Sequence, residues 1–257
     1  MINLFDLTGK VALVIGGAPG GIVHAQALGL AEHGADVVMA SGSLDDSEEV
    51  ADEIRAVGRK SLAVTVDVTQ EQLVVDMVER ILETFPRIDI LVNDFSTRIR
   101  KPAVEFPVEE WQRVMDFNAR GTFICCQAVG RKMVEQRSGK IINHSSVRGA
   151  YGLPSGYAAY CSSKGAIDTL TKTLACEWAK YNVLVNAIAP TFVETKTRDT
   201  TFAEIDSEFV KMVTARIPLG RWARPEDFVG PTLFLASKAS DFVTGQILYI
   251  DGGVTTW

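Results

Sequence analysis

The chain of 257 residues is 47% hydrophobic and 23% charged with a net charge of −6, a composition that excludes a disordered chain and favours one large α/β domain spanning residues 1–257. The acidic balance, with no cluster of Lys or Arg, argues against nucleic acid or an anionic membrane as partner and points to a small molecule. Four cysteines without paired spacing, a start from Met1 to Lys10 without a basic-then-apolar segment, and no run near the ~18 apolar residues of a membrane span together predict a cytoplasmic protein.

Val11 to Ile15 is a continuous apolar run followed at once by Gly16-Gly17-Ala18-Pro19-Gly20-Gly21 and a helical pattern through His33, which reads as strand, glycine turn, helix. Asp36 to Ala40 reads as a second strand, Asp45 to Ala56 as a helix, and Ser61 to Val66 as a third strand ending at Asp67. Gln70 to Phe85 is helical, Ile88 to Val92 a strand, Val108 to Gln136 one long helix, and Lys140 to Asn143 a strand leading into Ser145-Ser146. Tyr157 to Tyr181 carries Ile167, Leu170, Leu174 and Trp178 at helical spacing. Leu184 to Ile188 is a strand, Pro190 to Asp199 a loop, Phe202 to Ala215 a polar-faced helix, Pro225 to Leu235 a helix with proline in its first turn, and Ile247 to Ile250 a last strand. About seven apolar strands alternating with helices predict a doubly wound parallel sheet, Rossmann-like, with helices on both faces and its ligand site at the carboxyl ends of the strands.

Within the helix from Tyr157, Tyr160 and Lys164 project within roughly 40° of each other and toward the apolar stripe, so the lysine points inward. A buried ammonium is costly unless it is used or paired, and beside a phenol it makes an acid/base arrangement. The pair alone is a common spacing. Other candidates stand after strands: glycines that let a pyrophosphate approach a helix N-terminus or merely turn the chain, Asp67 and Asn93 as adenosine contacts or as a cap and a turn former, and Ser145 and Ser146 as hydroxyls for a substrate oxygen or for the next turn. Asn118 sits inside a helix, where asparagine either faces out or has a special bonding task. The three histidines, His24, His33 and His144, have no metal-ligand spacing and read as structural or supporting; no metal is expected.

Taken together, Gly17 and Gly21, Asp67-Val68, Asn93, Asn118 in Asn-Ala-Arg-Gly, Ser146, Tyr160 with Lys164, Val185 to Pro190, Pro225-Glu226-Asp227, Thr244-Gly245-Gln246 and Asp251-Gly252-Gly253 resemble the short-chain dehydrogenase/reductase family over nearly the whole length. The resemblance implies hydride transfer between a nicotinamide cofactor, NAD or NADP, and a secondary alcohol or ketone. Tyr160 would be the acid/base with its pKa lowered by Lys164, Lys164 would also hold the nicotinamide ribose, Ser146 would bond the substrate oxygen, and Asn118 would hold a water on a proton path. Gly17, Gly21, Ile22, Ser41, Asp67, Val68, Asn93, Val193 and Thr195 would line the cofactor, residues from about 195 to 215 would form a substrate lid, and the chain would assemble as a homotetramer through the helices of Asn118 and Tyr160. Similarity to the family's sugar and sugar-acid dehydrogenases suggests a polar substrate.

Four positions depart from that pattern. Val23 replaces the third glycine and should push something aside; Asp94-Phe95-Ser96 replaces Asn-Ala-Gly after Asn93; Thr191 replaces a glycine; and the spacing from Ser146 to Tyr160 is one residue longer. These departures support a rival reading, a catalytically weak relative kept as a binding or assembly module. After the second strand, Ser41, Gly42 and Ser43 carry neither an acid for a ribose nor a base for a 2′-phosphate; with Asp45 and Asp46 nearby and no Lys or Arg between Ala35 and Asp52, the reading leans to NAD.

Overall fold

The computed structural model describes residues 3–17, 19–153, 156–197, 200–201 and 205–256. Strands β1 (Val11–Ile15), β2 (Asp36–Ser41), β3 (Ser61–Thr65), β4 (Ile90–Asn93), β5 (Gly139–His144) and β6 (Val183–Pro190), with a last strand at Ile247–Ile250, form one parallel sheet in the order β3-β2-β1-β4-β5-β6 followed by that last strand. The central strands are apolar because both faces are covered; alternate residues of β1 enter opposite layers, Leu13 and Ile15 into one core and Ala12 and Val14 into the other. Each such side chain, fully buried, contributes about 1.5–3 kcal/mol. The two edge strands keep partly exposed residues.

Helices α1 (Ile22–Glu32) and α2 (Leu44–Ala56) follow β1 and β2, and α3 (Glu71–Thr84) follows β3. The chain then returns to the centre, so the strand order reverses between β1 and β4. In register, Ile15 lies beside Asn93 and Asn93 beside Asn143. Gly16 and Asp94 therefore leave the sheet at one level, beside the last residue of β5, His144, at the switch point where such sheets bind ligands.

The expected single helix from Val108 to Gln136 is interrupted. It runs as α4 (Val108–Met115), a π-helical turn Asp116–Arg120 and α5 (Gly121–Gln136). Asn118 lies in that wide turn, where its side chain is drawn inward. The helix of Tyr160, α6 (Ala158–Trp178), follows the expected span and ends in a short 3-10 turn, Ala179–Tyr181.

Two expectations are corrected nearer the C-terminus. Within the expected loop, Lys196–Thr197 (β7) pairs antiparallel with Thr200–Thr201 (β8), which makes Ile247–Ile250 β9. The expected helix from Phe202 begins only at Ser207: α7 (Ser207–Thr214) starts where Asp206 accepts the Phe209 N–H at 2.8 Å, while residues 198–199 and 202–204 lie outside the described residues. Pro225–Phe228 forms a 3-10 turn, held by Arg221 binding Asp227 through two N–H groups at 2.7 and 2.9 Å, and α8 (Val229–Ala236) follows it.

Candidate active site

The turn after β1 takes backbone angles that only glycine accepts readily, with φ of 120°, 67° and 80° at Gly16, Gly17 and Gly20. A Cβ on Gly16 would stand 2.0 Å from the Asp94 carbonyl oxygen, so the turn and the end of β4 press together. Val23 packs over the bare backbone of Gly17: its Cβ lies 2.8 Å from where a Gly17 Cβ would be, and the side chain is buried in the core. Gly21 opens α1 without a side-chain cap. A glycine cradle at an uncapped helix N-terminus fits the pyrophosphate of a dinucleotide, with Gly17, Gly21 and Ile22 as the residues that would hold it.

The other strand ends carry side chains already engaged with protein. Ser41 donates to the Ser43 carbonyl at 2.6 Å and pairs with Ser47 at 2.9 Å, while Ser43 caps α2. Asp67 accepts the Thr69 N–H and hydroxyl through one oxygen, at 2.9 and 2.7 Å. Asn93 is buried and donates to Asn143 at 3.0 Å, bracing β4 on β5. Val68 is buried beside the bare Cα of Gly121, as is Phe95, whose ring meets Phe117 edge-on at 5.7 Å. The bulk that replaces the family's alanine therefore turns into the core. Val193 bridges to Ala223, and Thr195 is half-buried two residues on. Thr191, in place of glycine, buries a hydroxyl without a partner among the described residues.

The structure brings Ser146, Tyr160, Lys164 and Asn118 together. Ser146 follows β5, accepts the Arg148 N–H at 3.1 Å and donates to the Pro190 carbonyl at 3.4 Å, and it lies close enough to Tyr160 to favour its phenolate. The connection to Tyr160 begins with a 3-10 turn, Val147–Gly149, and its residues 154–155 lie outside the described residues. Lys164 is 2% exposed and donates to the His144 carbonyl at 2.7 Å, with its nitrogen 5.7 Å from the centre of the Tyr160 ring. Burial pulls its pKa from 10.5 down to about 8, against the pull of Asp94 and Asp168. The Tyr160 pKa is raised, not lowered: burial outweighs the favourable influence of Ser146 and the Arg98 charge. In this state Tyr160 is a protonated phenol, ready to donate.

Asn118 is fully buried and gives both amide hydrogens to protein, to the Thr97 carbonyl and the Ser163 hydroxyl at 2.9 Å each, while its oxygen accepts the Thr97 N–H at 2.7 Å. It ties the segment after β4 to the helix of Tyr160, and a water can reach its side chain only through the remaining lone pair of Oδ1.

Sequence reasoning read His144 only as structural or supporting and Asp94 only as a departure, and it missed Arg98. The His144 ring lies 3.2 Å from Asp94 and 2.8 Å from Gln26, which also donates to Thr232. Arg98 is exposed yet close enough to act on Tyr160. The signal for Asp94 was its replacement of an amide residue; a lone arginine or histidine offers none until the loop is folded.

A doubly wound sheet with a glycine cradle at its switch point and a Ser-Tyr-Lys cluster beside it defines an NAD(P)-dependent oxidoreductase. The family profile described as "Enoyl-(Acyl carrier protein) reductase" matches residues 17–255. The chain is similar to a 2-dehydro-3-deoxy-D-gluconate 5-dehydrogenase of Pseudoalteromonas atlantica, 42% identical with 98% of each chain covered. It is likewise similar to a gluconate 5-dehydrogenase of Gluconobacter oxydans, 38% identical over 98% of this chain and 97% of the relative. Among solved structures, a gluconate 5-dehydrogenase from Burkholderia cenocepacia in complex with NADP and tartrate is 35% identical with a TM-score of 0.91, covering 99% of this chain and 98% of that one. The chain belongs to the short-chain dehydrogenase/reductase family.

Proposed function

We propose that the protein interconverts a secondary alcohol and a ketone on a sugar acid or related small polyol, with Tyr160 as acid/base. The observation that carries this reading is the convergence of Ser146, Tyr160 and the buried Lys164, whose nitrogen stands 5.7 Å from the centre of the Tyr160 ring one helical turn away. A bound nicotinamide cofactor supplies or accepts the hydride. In the reducing direction Tyr160 hands its proton to the substrate oxygen while Ser146 holds that oxygen; in the oxidising direction the same phenolate takes the proton back. Lys164 stabilises the phenolate and would reach the nicotinamide ribose. Asn118 braces the helix that carries both, and a water on Oδ1 would link the site to solvent.

A sugar-acid substrate is supported by Arg98, an exposed cation that makes no ion pair with a described carboxylate and acts on Tyr160. Its guanidinium suits a substrate carboxylate. The names of the relatives point the same way. The segment from 195 to 215, with its hairpin and α7, is the substrate lid. NAD is the proposed cofactor, supported by the absence of Lys or Arg between residues 36 and 51 and by Asp45 and Asp46 in the first turn of α2; the NADP bound by the Burkholderia relative makes the direct comparison necessary. Val23 and Phe95, on which a non-catalytic module rested, are both packed into the cores.

A homotetramer built through α5 and α6 is supported by exposed Phe123 on α5, and light scattering tests it. Among the described residues no helix is long and apolar enough to cross a membrane, which accords with a cytoplasmic location. The test of function is a screen of sugar acids, polyols, steroids and cyclic diols with both cofactors, followed by reduced-nicotinamide absorbance. Turnover of sugar acids, with KM for the acids but not for neutral polyols raised about tenfold or more in Arg98→Ala, is expected; turnover confined to apolar alcohols overturns the substrate class.

A further inference from the structure

His144 joins two charges at the centre of the site. Its carbonyl accepts from the Lys164 ammonium at 2.7 Å, and its ring Nδ1 lies 3.2 Å from Asp94 Oδ1. The other ring nitrogen, Nε2, stands 2.8 Å from the Gln26 amide nitrogen, which also donates to Thr232 at 2.7 Å. A donor at Nε2 makes that nitrogen the acceptor, so the ring proton sits on Nδ1, near Asp94 but not aligned on it as a hydrogen bond. Burial lowers the His144 pKa and keeps the ring neutral. A neutral imidazole thus stands beside the Asp94 carboxylate.

The charge that remains to be balanced is Lys164. Its ammonium has three donors, and among the described residues the one hydrogen bond recorded is to a neutral carbonyl. A buried ammonium with a single neutral acceptor is held charged only by a nearby anion. Two carboxylates act on it: Asp94 from the end of β4 and Asp168 one turn further along α6. Asp168 is itself buried, which raises its pKa against the Ser145 hydrogen bond, and it is turned toward Ser145 and Gly149. Tyr160 stands beside Lys164 on α6, and Arg98 in the loop after β4, Asp94 and Cys161 act on Tyr160 in turn. Asp94 keeps a side chain that is one-fifth exposed, in contact with water.

We propose that Asp94, seated against the ring of His144, is the counter-ion that holds the buried Lys164 in its ammonium form. Asp94 is then a positioning residue for the reaction, acting through Lys164 on Tyr160, and the chain's departure from Asn-Ala-Gly is a working part of its site. The role assigned to Lys164 in turnover rests on the function proposed above; the protonation of Lys164 does not.

The test is a pH titration of the full-length protein without cofactor, its lysines labelled with carbon-13 at Cε and the Lys164 resonance assigned by its loss in Lys164→Arg. The wild-type midpoint is expected at about 8. In Asp94→Asn it should fall by about 0.5–1 pH unit, and Asp94→Glu should restore most of the shift. Asp94→Ser gives the same reading should the asparagine variant fold poorly. A midpoint that moves less than about 0.2 unit in the uncharged variants overturns the proposal, because a merely structural Asp94 would leave it in place. The alkaline limb of kcat/KM should move down with the midpoint. A midpoint that moves while the limb stays fixed supports the counter-ion and overturns instead the requirement for a Lys164 ammonium in turnover.

Discussion

Lys164→Met tests how strongly the fold resists its own buried ammonium. In the native protein the Lys164 pKa stands at about 8 instead of 10.5, so the charged form is destabilised by about 3 kcal/mol relative to the unfolded chain. Methionine removes that cost at similar length, but it leaves the His144 carbonyl without its donor, a loss of about 1–3 kcal/mol. At about pH 7 the variant should therefore be equal to the wild type or up to about 2 kcal/mol more stable, while losing turnover. The pH dependence is the sharper signature. Between about pH 8 and 10.5 the unfolded chain still carries the lysine proton that the native state has shed, so wild-type stability climbs with pH, in total by about 3 kcal/mol, relative to a variant with nothing to titrate there. Urea unfolding of both proteins across that range, followed by circular dichroism, gives the difference directly. A difference that stays flat with pH refutes the reasoning, as does a variant several kcal/mol less stable than wild type at neutral pH.

Three further outcomes follow from the packing. Gly16→Ala should unfold the end of β4 or abolish cofactor binding, since its methyl would meet the Asp94 carbonyl at 2.0 Å; thermal melts and cofactor fluorescence check it. Asn118→Ala, which removes three hydrogen bonds at a buried site, should cost about 2–5 kcal/mol by urea unfolding and lower kcat with little change in cofactor affinity. In a thiol-reagent titration of the native protein, exposed Cys176 should react first, while Cys125 and Cys126 stay unreactive until unfolding, burial having pushed the Cys126 thiol up to about 12.

The β1 run from Val11 to Ile15 and the glycines after it were legible because a strand buried on both faces must be apolar throughout and a sharp turn against a neighbouring carbonyl excludes side chains. The inward turn of Lys164 was legible from helical periodicity alone. The departures were visible as residues but not in their effects: whether Val23 and Phe95 block a pocket or fill a core depends on the bare backbone of Gly17 and Gly121 opposite them, contacts distant in sequence. Ser41, Asp67 and Asn93 were placed correctly at strand ends; Ser41 and Asp67 bond to near neighbours in sequence, whereas the bond of Asn93 to Asn143 depends on the register of β4 and β5. The raised Tyr160 pKa escaped for a similar reason, because burial is a property of the folded site. Periodicity likewise carries no mark of a π-helical turn, which arises where Asn118 is drawn to Thr97 and Ser163.

The most direct test is to compare the wild type with Tyr160→Phe, following reduced-nicotinamide absorbance with a sugar acid such as gluconate and cofactor binding by fluorescence. Proton transfer through Tyr160 requires turnover by the wild type, a fall of about a hundredfold or more in the variant, and cofactor affinity unchanged within about twofold. Turnover in Tyr160→Phe within a few-fold of wild type, or no binding of either cofactor by the wild type, would contradict it.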